Sequence, residues 1–400
     1  MKTERSVRIF SALLAAILMA LLCPPLRAAD APAGATIAYV GTYTNAQSKG
    51  IYALSLATPN QADSQTISLT PIGLAAQVTS PSFLAVDAKH RFVFAVNEVD
   101  KTAGQPGGGV SSFSIDPKSG MLTAINQQSS MGKGPCHIVV DSSGKNVLVA
   151  NYGSGSVAVY QVASDGRLSE ATSFIQHQGS SVNKSRQEGP HAHCVALDAA
   201  NRFAFVCDLG LDKVMIYRFD AQNGKITPND PAFATVKAGS GPRHITFGRD
   251  GKFAYVNNEI ASTVTVFSYD EKNGALSEVQ SLSTLPADFK GNTSTAEIAV
   301  HPSGKFLYVS NRGHDSIATF SIDQTKGTLT WVEAHPSGGK TPRHFAIDPA
   351  GKYLVMENQG TGNIVLCSID SESGRLTNVG APVQVASPVC VVFVPAATHE

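Results

Sequence analysis

The chain has 400 residues, 42% of them apolar, which is enough to build a sizeable core. Lys plus Arg and Asp plus Glu each number 31, so the formal net charge is zero and a general nucleic-acid binder is not expected. Charged residues reach only 16%, against about 25% in ordinary soluble domains, while 35 glycines and 21 prolines make the text turn-rich. That combination points to an all-β architecture and excludes a disordered chain or a multi-span membrane protein.

The first residues read as an address. Lys2, Arg5 and Arg8 form a basic segment, Ile9 to Leu22 is almost wholly apolar, and Pro24 and Pro25 end the run. A cleavage position follows Leu26-Arg27-Ala28, so residues 1–28 are expected to be a secretory signal peptide and the mature protein to be secreted or periplasmic. The apolar run is shorter than the ~20 residues of a spanning helix, so no membrane span is expected after cleavage. Leu22 stands where lipidation of Cys23 would need a small residue, which weighs against a lipoprotein. Cys136, Cys194, Cys207, Cys367 and Cys390 then remain, an odd number with no CxxC spacing. Cys194 and Cys207 fall on consecutive predicted strands, in a position to pair as a disulfide.

The dominant signal is a repeat. PSFLAVDAKHRFVFAVN at 81–97 returns as PCHIVVDSSGKNVLVAN at 135–151 and PHAHCVALDAANRFAFVCD at 190–208. It returns again as PRHITFGRDGKFAYVNN at 242–258, TAEIAVHPSGKFLYVSN at 295–311 and PRHFAIDPAGKYLVMEN at 342–358. Each copy holds two strands, here called A and B. A third strand C follows, as in SVAVYQV at 156–162. A hairpin turn at Gly120, Gly166, Gly224, Gly274, Gly327 or Gly374 then opens strand D. Four strands in about fifty residues is the signature of a propeller blade. The remaining unit is split, with PVCVVFV at 388–394 as a lone first strand and IAYVGT at 37–42 opening the other three. The expected fold is therefore an all-β, seven-bladed β-propeller of four-stranded antiparallel blades. It forms one domain over 36–395, its ring closed by pairing the N- and C-terminal strands.

Antiparallel order puts the entrances of the A strands and the exits of the B strands on one face. The entrances carry Ser82, Cys136, His193, Arg243, Ala296, Arg343 and Val389, and the next positions carry Phe83, His137, Cys194, His244, Glu297, His344 and Cys390. Glu98, Tyr152, Leu209, Glu259, Arg312 and Gln359 follow the B strands, with Tyr43 as their counterpart in the split blade. Three arginines, several histidines and carboxylates thus meet at the channel mouth, a mixture suited to a small anionic or carbonyl-bearing ligand. Strict strand alternation turns His137, His244 and His344 to the other side, so structural roles are expected for them, and Glu297 shares their register. The Asn and Asp at the B-strand ends are expected to cap strand-end carbonyls. His90, His177, His301, His335 and His399 are read as surface or turn residues.

The ordered set YVGTYT at 39–44, VANYGSGSV at 149–157, GPHAHCV at 189–195, GPRHITF at 241–247, NNEIASTVTVF at 257–267 and YVSNRGHDSIATF at 308–320 resembles the lactonase family of seven-bladed propellers. The best-known members of that family are 6-phosphogluconolactonases, and fungal carboxy-muconate cyclases share its scaffold. The resemblance implies a metal-independent, cofactor-free site on His193, Arg243, Glu259 and Arg312 as catalytic residues. Arg343, Glu297, His191 and Asn311 are read as substrate-binding, and the partner as a small, anionic lactone.

Chemistry on those residues is consistent with lactone hydrolysis. His193 or Glu259 would accept a proton from the attacking water. Arg243 would stabilise the carbonyl oxygen, and Arg312 or Arg343 would hold a carboxylate or phosphate. No GxSxG elbow occurs, which argues against the α/β-hydrolase route, and no HExxH or EF-hand motif suggests a catalytic metal. A signal peptide conflicts with a cytosolic pentose-phosphate role, so an exported relative acting on an unphosphorylated sugar lactone, or on another substrate, is expected. A muconate-type cycloisomerase and a non-catalytic, ligand- or partner-binding propeller are the alternatives.

Overall fold

A computed structural model describes residues 36–57, 67–102 and 105–395. The proposed signal peptide lies outside the described residues. Blade 1 joins Pro388–Val394 as strand A to Thr36–Thr42, Gly50–Ala57 and Ser68–Gln77 as strands B to D. Blade 2 is Leu84–Val86, Phe92–Asn97, Gly109–Ile115 and Leu122–Ser129, with a small ribbon, Lys101–Thr102 and Gln105–Pro106, in its B-to-C loop. Blade 3 is Pro135–Val140, Asn146–Asn151, Ser156–Val162 and Leu168–Gln176, and blade 4 is Ala192–Leu197, Phe203–Asp208, Lys213–Asp220 and Lys225–Thr235. Blade 5 is Pro242–Phe247, Phe253–Asn258, Thr263–Asp270 and Ala275–Ser283. Blade 6 is Ser294–Val300, Phe306–Arg312, Ser316–Ile322 and Leu329–Pro336, and blade 7 is Pro342–Ile347, Tyr353–Asn358, Asn363–Ile369 and Leu376–Gln384.

The ring closes as the split repeat predicts. Val394 pairs with Ile37, Phe393 with Ala38 and Val392 with Tyr39, so both ends of the described chain lie in one sheet. No helix among the described residues is long and apolar enough to cross a membrane.

The core lies between blades. Seven apolar clusters fill the seven inter-blade spaces; one joins Phe203 and Phe205 of blade 4 to Val256 and Phe267 of blade 5, and another joins Val355 and Ile364 of blade 7 to Ala38 and Val40 of blade 1. The B strands are sandwiched on both faces, which is why FVFAVN, NVLVAN and FAFVCD are buried throughout. The outer D strands touch one neighbour and solvent, and their burial alternates.

Local chemistry sets the turns. In four A-to-B turns an Asp accepts two consecutive backbone N–H groups; Asp141 takes those of Lys145 and Asn146 at 2.8 and 2.9 Å, and Asp348 takes those of Lys352 and Tyr353. The C-to-D turn glycines answer two constraints together. Gly374 has φ +72°, and a Cβ there would stand 2.5 Å from the Phe306 ring of the preceding blade. Gly327 meets Phe253 and Gly274 meets Phe203 in the same way. Cys194 and Cys207 do lie opposite each other in register, but both are free thiols inside an apolar cluster, which corrects the disulfide expectation. Core thiols behave there as small hydrophobes.

Gly374→Ala is expected to lower stability by about 1–3 kcal/mol, through both the left-handed backbone and the blocked approach of Phe306. Urea unfolding measures it; a wild-type midpoint would show that the turn does not need glycine.

Candidate active site

The A strands enter the channel through a repeated irregularity. In blade 5 Pro242 pairs with Asn258 and His244 with Asn257, so Arg243 is an extra residue with no partner of its own. The same β-bulge recurs in blades 3, 4, 6 and 7 and, between Gly41 and Thr42, in blade 1. A bulge breaks strand alternation and aims two consecutive side chains to one side. Here that side is the axis: Phe83 of blade 2 lies 5.7 Å from His244 of blade 5 and 5.4 Å from His344 of blade 7, ring centre to ring centre. Residues of non-adjacent blades meet in this way only across the channel. His137, His244, His344 and Glu297 therefore face the axis beneath the mouth, not the far side of the strand as alternation predicts.

The upper layer is a cluster of charge around Glu259. Its Oε2 is 3.1 Å from Arg243 Nε and 3.0 Å from Arg312 Nη2, and its Oε1 is 2.6 Å from Arg186 Nη2. His193 Nε2 stands 4.0 Å from the same carboxylate. Burial alone would raise the Glu259 carboxyl, but Arg312 and Arg243, with the Arg186 hydrogen bond, outweigh it and hold the group at about 2. Glu259 is thus a fixed anion and a poor proton acceptor. Burial, then the Arg243 charge and the neighbouring His244 imidazole, push His193 well below its ordinary 6.5, so its imidazole is neutral at neutral pH. Arg243 is buried and also donates to the Ala296 carbonyl, while Arg312 donates to the Thr295 carbonyl at 2.8 Å. Burial outweighs the Glu259 charge at Arg312 and lowers it to about 10.

Across the cavity Arg343 is differently placed. Its Nη2 donates to Tyr43 Oη at 2.9 Å, Tyr43 donates to Glu98 Oε2 at 2.9 Å, and Ser82 donates to that same oxygen. Among the described residues no carboxylate lies within ion-pair distance of Arg343. Arg343 and Glu98, with Tyr152, Cys136, Ser294, Arg186, His193, Glu259 and Arg312, line a cavity of about 340 Å³, the size of a small-molecule site. Three guanidinium groups, Arg186, Arg312 and Arg343, face two carboxylates around it, so the pocket is formally cationic.

Of the eight residues expected at the site, the structure brings His193, Glu259, Arg312 and Arg343 around one cavity, with Arg243 buried directly against Glu259. Glu297 lies one layer deeper, 3.1 Å from His244 and 3.4 Å from His344. His191 stacks on Tyr152 at 4.5 Å and bonds its carbonyl, behind the pocket wall. Asn311 is turned away: its amide bonds the Thr284 carbonyl and hydroxyl, the strand-end latch that Asn151 and Asn358 make to Ser130 and Ser337. Its substrate-binding role is therefore replaced by a structural one.

Arg186 was not legible as a site residue. It sits on the connection 177–191 between blades 3 and 4, and the unusual length of that segment on the mouth face is the signal that marks it. The segment is pinned by His177, buried between Asp208 at 2.6 Å and Tyr217 at 2.8 Å, and by Gln187, which donates to the Leu209 carbonyl. His177 is thus a buried anchor and not a surface residue.

The fold and the pocket define the molecule as a seven-bladed β-propeller with a cationic site on its axis. A family model described as "Lactonase, 7-bladed beta-propeller" matches residues 37–393, and the chain belongs to that family. It is 39% identical over 307 residues to a 6-phosphogluconolactonase of Bacillus subtilis (strain 168), spanning 77% of this chain and 83% of that one. The solved structure of the periplasmic gluconolactonase of Pseudomonas aeruginosa is similar, with TM-score 0.83 and 33% identity over 91% of this chain and 100% of that one. A structure from Lactobacillus plantarum matches with TM-score 0.82 and 33% identity, over 90% and 99% of the two chains.

Glu259→Gln leaves three buried or half-buried guanidinium groups without their shared anion, and is expected to cost about 3–5 kcal/mol in urea unfolding. Because the folded-state value of Glu259, about 2, lies below its ordinary 4.5, its stabilisation is present above pH 4.5 and lost as pH falls toward 2. The variant should therefore show a flatter stability profile in that window, and an equally steep one would remove Glu259 from the role assigned.

Proposed function

We propose that the protein is an extracytoplasmic lactone hydrolase that opens a small, anionic sugar lactone in the axial pocket. The observation that carries this reading is the convergence of a neutral imidazole, two guanidinium groups anchored on Glu259 and a third without a carboxylate partner in one small cavity. Membership of the lactonase family and the similarity to proteins named 6-phosphogluconolactonase and gluconolactonase support it. The basic and apolar segment at 2–22 and the periplasmic relative support export.

In this reading Arg343 holds the anionic substituent of the substrate, with Tyr43 and Glu98 fixing its orientation. A water beside His193 Nε2 gives its proton to the imidazole as its oxygen attacks the lactone carbonyl. Charge that grows on the carbonyl oxygen meets Arg243 and Arg312, already oriented by Glu259, so little reorganisation is needed during the reaction. Collapse of the tetrahedral intermediate breaks the bond from carbonyl carbon to ring oxygen. The imidazolium returns its proton to that oxygen, and the product is the open hydroxy acid. Glu259, held at about 2, orients the arginines and is not the base.

The mature protein is expected to hydrolyse glucono-δ-lactone or its 6-phosphate well above the spontaneous rate, followed by pH-stat titration. His193→Ala should lower kcat by about 10²–10⁴-fold. Arg343→Ala should raise KM more for the phosphorylated lactone than for the neutral one. The base must be unprotonated, so kcat/KM should fall only as pH drops through the lowered value of His193, placing the acid limb below 6.5. Absence of turnover on either lactone would favour the binding-protein reading, and an absorbance change with a muconate would favour the cycloisomerase.

A further inference from the structure

Beneath the pocket lies a second layer whose hydrogen bonds converge on Glu297 from both sides. Arginine can only donate, so the 3.2 Å contact from Arg243 Nη1 makes His244 Nε2 an acceptor. The His244 proton is therefore assigned to Nδ1, which donates to Glu297 Oε2 at 3.1 Å. His344 Nδ1 accepts the backbone N–H of Val391 at 3.2 Å, which assigns its proton to Nε2, 3.4 Å from the same Glu297 oxygen. Glu297 Oε1 accepts the N–H of Ile298 at 3.0 Å. Three donors thus converge on Glu297 and no acceptor faces it, the surroundings of an ionised carboxylate, which has no proton of its own to place. Glu357 Oε2 lies 3.1 Å from the same lone pair of His344 Nδ1, and an ionised carboxylate there would set acceptor against acceptor.

We propose that Glu357 is a protonated carboxylic acid and Glu297 an ionised one, and that the chain from Glu357 through His344, Glu297 and His244 positions the Arg243 guanidinium. These four are positioning residues and touch no substrate. Glu357 is fully buried with its Oε1 unpartnered, an environment that favours a neutral acid. Burial, and then the Glu297 charge, move Glu357 well above its ordinary value. Burial also raises Glu297, but the neighbouring His344 imidazole and the Arg243 charge draw it back. The physical gain is that Arg243 is held from two sides, by Glu259 at Nε and by the chain at Nη1, so the guanidinium that backs Glu259 cannot swing. The activity test of this inference rests on the hydrolase reading; its protonation test does not.

Two measurements on the full mature chain decide it. Infrared difference spectra between wild type and Glu357→Gln at neutral pH should show one protonated-carboxyl carbonyl band that the variant lacks; its absence would overturn the assignment of Glu357. In kinetics with whichever of glucono-δ-lactone or its 6-phosphate the wild type hydrolyses, His244→Phe should lower kcat by about tenfold or more with a smaller change in KM. His244→Gln, whose amide oxygen can accept from Arg243, should recover most of it. Glu357→Leu should likewise lose activity that Glu357→Gln restores, whereas Glu297→Gln should not be rescued, because an amide cannot accept from all three donors. Equal kcat for wild type, His244→Phe and Glu297→Gln would sink the positioning role, and the His244 pair decides it if Glu297→Gln does not fold. A wild type inactive on both lactones would end the hydrolase reading, and the carboxyl band would then decide the chain by itself.

Discussion

The site depends on one backbone device, the extra residue at the entrance of the inner strands. A regular strand would send Arg243 to the axis and His244 into the wall, or the reverse. With the bulge both reach the channel, and repetition around the ring gives two stacked layers from a single sequence position and its neighbour. The upper layer is charged and borders the cavity. The lower one, made of Phe83, His137, Cys194, His244, Glu297, His344 and Cys390, seals the channel and supports the upper layer from beneath. The layers meet at Arg243, which bonds Glu259 above and His244 below.

Electrostatics explain why the upper layer holds together. A buried carboxylate or guanidinium alone is costly, and each is tolerated only with partners. Glu259 is the shared partner of three arginines contributed by blade 5, blade 6 and the connection 177–191, so its charge ties three separate parts of the ring to one point. Arg343 stands outside that arrangement, on the Tyr43 hydroxyl and with no carboxylate partner among the described residues. The stability needed to hold such groups comes from elsewhere, from seven apolar clusters between blades and a ring without open ends. Rigidity of the scaffold and chemistry of the rim are thus supplied by different residues of the same strands.

Much of this was legible in the text. The recurring A–B phrase, the turn glycines and the split last unit determine a seven-bladed ring with joined ends, because each is a local requirement of a four-stranded blade. His193, Arg243, Glu259, Arg312 and Arg343 could be placed at one mouth because strand ends repeat at fixed offsets. What alternation alone could not give was the direction of the second position. A bulge inserts a residue without a composition cue of its own, so His137, His244, His344 and Glu297 were assigned to the wrong side. Asn311 sits beside Arg312 in sequence, but its amide satisfies a loop carbonyl, a choice settled by which carbonyl lies nearest in space.

The amino-acid order by itself determined the blade count, the closure and the residue types at the rim, since those follow from periodicity, turn chemistry and antiparallel order. Only the folded molecule decided the partners: Arg186 reaching Glu259 from a long connection, Cys194 and Cys207 facing each other as thiols, and Glu357 meeting His344 below the pocket. The physical reason is that hydrogen-bond and ion-pair partners depend on distances of a few ångströms across blades far apart in sequence, and no local pattern encodes those distances.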